Sequence, residues 1–103
     1  MYRQRIRQQI VDGQLREYME TAREVMALRQ KLGLAVPTLW APAFGTANEV
    51  VWEIEYPDLA TFQSENEAFY SDAEVMEQWR RLWQHAVQGS IHDELLEEAP
   101  HIA

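Results

Sequence analysis

Residues 49–56 read Glu49-Val50-Val51-Trp52-Glu53-Ile54-Glu55-Tyr56. Val50, Trp52, Ile54 and Tyr56 fall on one parity, and Val51, Glu53 and Glu55 on the other. Successive side chains of a strand point to opposite faces, so this is a strand with one apolar and one acidic face. Just before it, residues 34–44 (LAVPTLWAPAF) are apolar but contain Pro37 and Pro42. Proline has no N–H to give to a ladder, which predicts an edge or bulged strand here. Residues 45–48 supply turn chemistry, so the two segments together predict a hairpin.

After the strand, Pro57-Asp58 is a stop, with Asp58 as a helix cap. Leu59, Phe62, Asn66 and Phe69 mark a short helix. Ser71-Asp72-Ala73-Glu74 fits a capping box, and Val75, Met76, Trp79, Leu82, Trp83 and Ala86 stripe the helix it opens. Gly89 is expected to end that helix, and residues 90–97 (SIHDELLE) predict a last strand. Before the hairpin, Leu15, Tyr18, Met19, Ala22, Val25, Met26, Arg29 and Leu32 recur at helical spacing. Asp12 is the expected cap of this helix and Gly33 its left-handed end. Residues 2–10 (YRQRIRQQI) alternate, with Tyr2, Gln4, Ile6, Gln8 and Ile10 against Arg3, Arg5 and Arg7.

The predicted order is β-α-β-β-α-β, with the second helical region split in two. That is the α+β, ferredoxin-like arrangement: a four-stranded antiparallel sheet with helices on one face, and the first strand between the third and fourth. Val50, Trp52, Ile54 and Tyr56 should face the helices. Arg5 and Arg7 should then meet Glu53, Glu55 and Asp93 on the bare face, where each cross-strand ion pair contributes roughly 0.2–1 kcal/mol. A bare sheet face is most economically covered by a second copy, which predicts a two-fold homodimer. One domain is expected over residues 1–98, with a frayed tail at 99–103.

The chain has 103 residues, 9 Lys+Arg against 17 Asp+Glu, a formal charge of −8, and no Cys. This length is enough for one domain with a real core. The absence of Cys removes disulfides, thiolate nucleophiles and Cys-based metal sites. The acidic balance argues against a nucleic-acid partner, because neutralising phosphates needs clustered Lys and Arg. No stretch is apolar for the ~18 residues that a membrane helix needs, and the N-terminal segment has no apolar core of a secretory signal. A cytoplasmic protein without membrane partners is the resulting expectation.

Several segments, taken in order, carry a family resemblance: the turn Val11-Asp12-Gly13-Gln14, the helix with Tyr18, and Trp40-Ala41-Pro42 with Phe44-Gly45. Residues 48–56, Asp58-Leu59-Ala60 and the closing residues 89–96 (GSIHDELL) complete it. The chain resembles the NIPSNAP-like family of the dimeric α+β barrel superfamily over almost its whole length. It departs at Asp12, where the family often has Pro, and at Gln4, Ile6 and Gln8, where many members have Glu, Arg and Tyr. The resemblance implies a homodimer whose two sheets face each other as a barrel. Members are mostly of unknown function, and the wider superfamily includes cofactor-independent monooxygenases acting on polycyclic phenols, haem-degrading enzymes and stress-related proteins. Fold alone does not choose among these.

Aromatic and titratable residues supply the candidate site. Trp40, Trp52, Tyr56, Trp79 and Trp83, with His92, are expected to line a pocket for a small hydrophobic or aromatic molecule. The alternative is that the same aromatics only pack the core and the dimer interface. His92 is the candidate catalytic residue, as a strand histidine able to act as acid, base or ligand-orienting group, or else it merely bonds a neighbour. His85 suits a helix C-terminus, and His101 falls in the tail. The Arg3/Arg5/Arg7 row either binds an anion or pairs with the sheet's own carboxylates. No HExxH, EF-hand, GxGxxG, P-loop or GxSxG pattern is present, so neither a metal nor any other cofactor is implied. The functional expectation is a homodimeric small-molecule-binding protein, with a cofactor-independent monooxygenase or isomerase using His92 as the alternative.

Overall fold

The computed structural model describes residues 1–99. The elements are β1 (Tyr2–Gln9), α1 (Leu15–Lys31), β2 (Thr38–Trp40), β3 (Glu49–Tyr56), α2 (Leu59–Ser71), α3 (Ala73–Trp83) and β4 (His92–Glu97). The four strands form one antiparallel sheet in the order β2-β3-β1-β4. This is the ferredoxin-like α+β fold with β1 in the centre, as the order of segments predicts. Of the predicted tail, only Ala99 lies within the described residues.

The strand over residues 49–56 forms as read, with Val50, Trp52, Ile54 and Tyr56 all buried. They pack with Ile6, Ile10, Tyr18, Ala22, Val25, Phe69, Val75, Trp79 and Leu82 to make the core. The sheet-facing stripe of α1 is Tyr18, Ala22, Val25 and Arg29. Gly33 at φ 73° ends α1 as expected, with its N–H donating to Gln30 O and that of Leu34 to Arg29 O.

Local chemistry trims several predicted elements. β2 is an edge strand of three residues rather than eleven, because Pro37 and Pro42 bracket the part that pairs. Asp12 does not cap α1. Gln14 occupies the cap position without a side-chain bond to the helix, and its Oε1 instead lies 2.9 Å from His85 Nδ1. Ser71 is the last residue of α2, so the capping box shifts by one. Asp72 caps α3 by accepting from Val75 N at 2.9 Å, just as Asp58 caps α2 through Thr61 N. That bond, first in importance, holds the Asp58 carboxyl below its usual range. α3 stops at Trp83, well before Gly89. Ser90 belongs to the following turn, where its hydroxyl donates to Val87 O at 2.6 Å, and β4 begins at His92.

The bare face carries arginine–glutamate pairs as expected, but Glu55 pairs with Arg3, Arg7 with Glu49, and Glu94 takes the place of Asp93. Arg3 reaches Glu55 at 2.5 Å, Arg5 reaches Glu53 at 3.3 Å, and Arg7 reaches Glu49 at 3.8 Å. Asp93 does not join them. It pairs in register with Ile6 and so lies on the helix side, whereas Glu94 stands opposite Arg5 and reaches it at 3.8 Å.

Candidate functional site

Between the sheet and the helices lies a small cavity lined by Gln4, Arg29, Trp52, Tyr56, Phe69 and Trp79, among others. Asn66 and Tyr70 from α2 complete its wall. Its volume is about 20 Å³, room for one water. β1 and β3 place Gln4, Trp52 and Tyr56 there because these residues share the helix-facing parity. α1 supplies Arg29 from its buried stripe, and α3 supplies Trp79 from the same stripe as Val75 and Leu82.

Polar contacts run across this space as a relay. Gln4 Nε2 donates to Asp93 Oδ1 at 3.0 Å, and Tyr56 OH donates to Gln4 Oε1 at 3.3 Å. Arg29 Nη2 lies 3.5 Å from Tyr56 OH, at the limit of a hydrogen bond. Arg29 is 5% exposed, and a buried guanidinium needs partners. It has them in Ala35 O at 2.8 Å, the Glu65 carboxylate at 3.6 Å, and the Phe69 ring at 5.2 Å from its centroid. Burial pushes the Tyr56 phenol above its ordinary value, with Arg29 pulling against it. Burial likewise raises Tyr70, helped by the negative charge of Asp93.

A second network starts from Trp52, which lines the cleft, and runs away from it. Trp52 Nε1 donates to Tyr18 OH at 2.7 Å, and Tyr18 OH donates to Gln8 Oε1 at 2.6 Å. Burial drives the Tyr18 phenol far above its ordinary value, so it stays a neutral donor. The aromatic rings make edge contacts: Trp52 with Trp79 at 5.7 Å, Phe69 with Trp79 at 5.5 Å, and Tyr56 with Phe62 at 5.3 Å.

Three of the six residues singled out by sequence therefore meet in one place: Trp52, Tyr56 and Trp79. Trp83 touches Trp79 at 6.2 Å but sits at the surface, beside a separate cleft of about 240 Å³ with Val87 and Ile91. Trp40 and His92 are on the other side of the sheet. Trp40 pairs with Val51 and His92 with Arg7, all on the bare face. His92 is exposed and shares no cavity with Trp52, so among the described residues the cleft holds no histidine. His101 lies outside the described residues. Among the described residues, no group of three or more metal-ligating side chains converges, and no helix is long and apolar enough to cross a membrane.

Sequence reasoning passed over Gln4, Arg29, Glu65, Asn66, Tyr70 and Asp93 as site residues. Two of them left a signal. Arg29 is a charge inside the buried stripe of a helix, and Gln4 is an amide on the apolar parity of a central strand. Such positions need a specific buried partner.

Comparison with known proteins agrees with this architecture. An uncharacterised NIPSNAP domain protein from Burkholderia xenovorans has a similar structure, with TM-score 0.79 and 18% identity over 100% of this chain and 99% of that one. A NIPSNAP family protein from Agrobacterium tumefaciens superimposes with TM-score 0.76 at 17% identity, over 95% of this chain and 85% of that one. An antibiotic biosynthesis monooxygenase superimposes with TM-score 0.75 at 14% identity, over 97% and 100% of the two chains. At these identities the likeness concerns the fold alone. No curated protein matches in sequence. The NIPSNAP sequence profile matches residues 5–100, nearly the full length, and the chain belongs to the NIPSNAP family.

Proposed function

We propose that this protein is a homodimer that binds a small aromatic molecule with a polar edge in the cleft between sheet and helices. The observation that carries the reading is the Gln4–Tyr56–Arg29 relay inside an aromatic frame of Trp52, Phe69 and Trp79. Few convergent polar groups set in an apolar lining are what orient a flat ligand. The relay bonds are long, at 3.3 and 3.5 Å, so a ligand hydroxyl or carbonyl can replace one of them at little cost. The cavity must enlarge to admit a ring, and α2 is the wall that can yield. Only Phe69 of its 13 residues is buried. Elements with little buried apolar surface open at low free energy. The homodimer part of the reading is supported by the bare sheet face, whose arginines are matched by glutamates and can be covered without stranding a charge.

Titration with 2-naphthol, read by tryptophan fluorescence, tests the ligand reading. The expected result is a saturable change in both the wild type and Trp40→Phe. Asn66→Ala should weaken binding severalfold at unchanged stability, since Asn66 lines the cleft but stands outside the relay. Loss of the response in Trp40→Phe, or no response in the wild type, contradicts the proposal.

A further inference from the structure

The cleft of about 240 Å³ beside Trp83 takes no part in the network around Arg29. Gln8, Trp83, Val87, Gly89 and Ile91 line it, and none of them borders the inner cavity. Two of these residues are out of keeping with their chemistry. Trp83 is a large apolar ring, yet it is 43% exposed, with Val87 exposed beside it. Gln8 is a polar side chain on the helix-facing parity of β1, yet it is only 1% exposed. Together they give the cleft an apolar rim and a buried polar floor.

The core fixes which way the Gln8 amide points. An indole N–H can only donate, so the Tyr18 oxygen accepts from Trp52 Nε1 at 2.7 Å. The Tyr18 hydrogen is left to be donated, and Gln8 Oε1 receives it at 2.6 Å. Gln8 therefore gives its carbonyl to the core. Its Nε2 hydrogens meet no acceptor among the described residues, and that atom is not sealed from solvent. A buried amide donor needs a partner, and the cleft that Gln8 lines is where one can reach it.

The wall of the cleft is pinned. The segment between α3 and β4 is tied to the end of β1, where Val11 N donates to His85 O at 2.9 Å and Val87 N to Gln9 O at 2.8 Å. Gln9 N in turn donates to Ser90 Oγ at 3.1 Å. A wall held this way is formed before anything binds, which lowers the cost of binding. The chemistry of the lining then selects the occupant. No lining residue is charged, and the chain carries a net charge of −8, so an anion finds no counter-charge there. A hydroxyl would accept from Gln8 but bring a hydrogen of its own to be satisfied. A neutral carbonyl oxygen only accepts, so it answers the Gln8 donor with nothing left over. Trp83, Val87 and Ile91 offer the apolar surface for a flat ring.

We infer that this cleft is a second ligand site, for a flat apolar molecule with a neutral carbonyl that packs against Trp83 and accepts from Gln8 Nε2. Its volume of about 240 Å³ is just below that of pockets for drug-sized ligands and suits one or two fused rings. The inference does not rest on the reading of the inner cavity, with which the cleft shares no residue. The two are linked only through hydrogen bonds, because Trp52 lines the inner cavity and begins the relay that ends at Gln8.

The test uses 2-acetylnaphthalene as the probe and 2-ethylnaphthalene as a molecule of the same shape without an acceptor. Each is titrated into the isotope-labelled full chain, and NMR follows the Trp83 indole, the Gln8 side-chain amide and the Gly89 backbone amide. The expected result is a saturable shift of all three with the ketone, at an affinity severalfold above that of the hydrocarbon. Trp83→Ala should weaken the ketone severalfold. Val87→Ser, at an exposed rim position away from the Trp79 contact, should weaken it in the same direction. Equal affinity for the two probes overturns the inference, because Gln8 then donates nothing. Shifts confined to the Trp52 indole and Asn66 place the ketone in the inner cavity and overturn it too. So does a cleft whose signals move on protein dilution but not with the ketone, which marks it as filled by another copy. The inner-cavity reading stands or falls separately, by the 2-naphthol titration and Asn66→Ala.

Discussion

The two faces of the sheet are built from alternate residues of the same strands, yet they solve the burial of polar groups in different ways. The helix-covered face relies mainly on neutral groups, beside the exposed Asp93 carboxylate that accepts from Gln4. Gln4, Gln8, Tyr18, Trp52 and Tyr56 hydrogen-bond within two networks there, with Arg29 the one buried cation among the described residues. The bare face uses ions, with Arg3, Arg5 and Arg7 against four glutamates, all retaining contact with solvent. A neutral network is worth most when dry, whereas an ion pair loses heavily on full desolvation. The comparison shows why β1 is polar on both sides. One side joins the core network, and the other carries ion pairs that keep contact with solvent.

Replacing a residue on the helix-covered face should therefore have the larger effect. Trp52→Ala removes the ring that contacts Trp79 and the donor to Tyr18, and should destabilise the fold by about 3–5 kcal/mol in urea unfolding. Tyr18→Phe preserves the packing but strands the Trp52 N–H and the Gln8 carbonyl, which should cost about 1–3 kcal/mol.

The same face should also control behaviour in alkali. Tyr18, Tyr56 and Tyr70 all have raised values in the folded chain, with burial the largest cause. Above about pH 10 the unfolded chain loses its tyrosine protons while the folded chain holds them. The stability these groups contribute is thus full below that pH and declines as pH rises beyond it. Urea midpoints measured upward from neutral pH should fall in this range, and Tyr18→Phe should flatten the fall.

Exposed ion pairs of the bare face should matter least within one subunit. A double-mutant cycle on Arg3 and Glu55, run at a dilution where the chain is monomeric, should give no more than about 1 kcal/mol, and less in high salt. A larger, salt-resistant coupling would erase the distinction between the faces.

Much of this was legible from residues alone because period-two alternation is a direct record of which side is buried. Residues 49–56 yielded both faces of β3, and the Arg/Gln alternation of 2–10 yielded those of β1. The residues that went astray are those whose partners lie outside their own element. Asp93 carries a charge that suits the arginines, but register with Ile6 turns it toward Gln4. Asp12 and Ser71 had cap chemistry but stood at the wrong backbone position, and the cap at residues 71–72 was decided by one residue. His92 and Trp52 both occupy strands flanking β1, yet they stand on opposite faces. Arg29 could be read as part of a stripe, but its contacts with Glu65, Tyr56 and Ala35 depend on how α2 and the segment after α1 pack.

The central claim is that the ionic face is an interface and the neutral face a core with a cleft. Sedimentation equilibrium of the full chain and of Arg5→Glu, at micromolar concentration in moderate salt, tests it most directly. The account predicts a dimer for the wild type and a shift toward folded monomer for Arg5→Glu, which places a carboxylate against Glu53. A compact wild-type monomer persisting at the highest attainable concentration, or a dimer unaffected by Arg5→Glu, would contradict it.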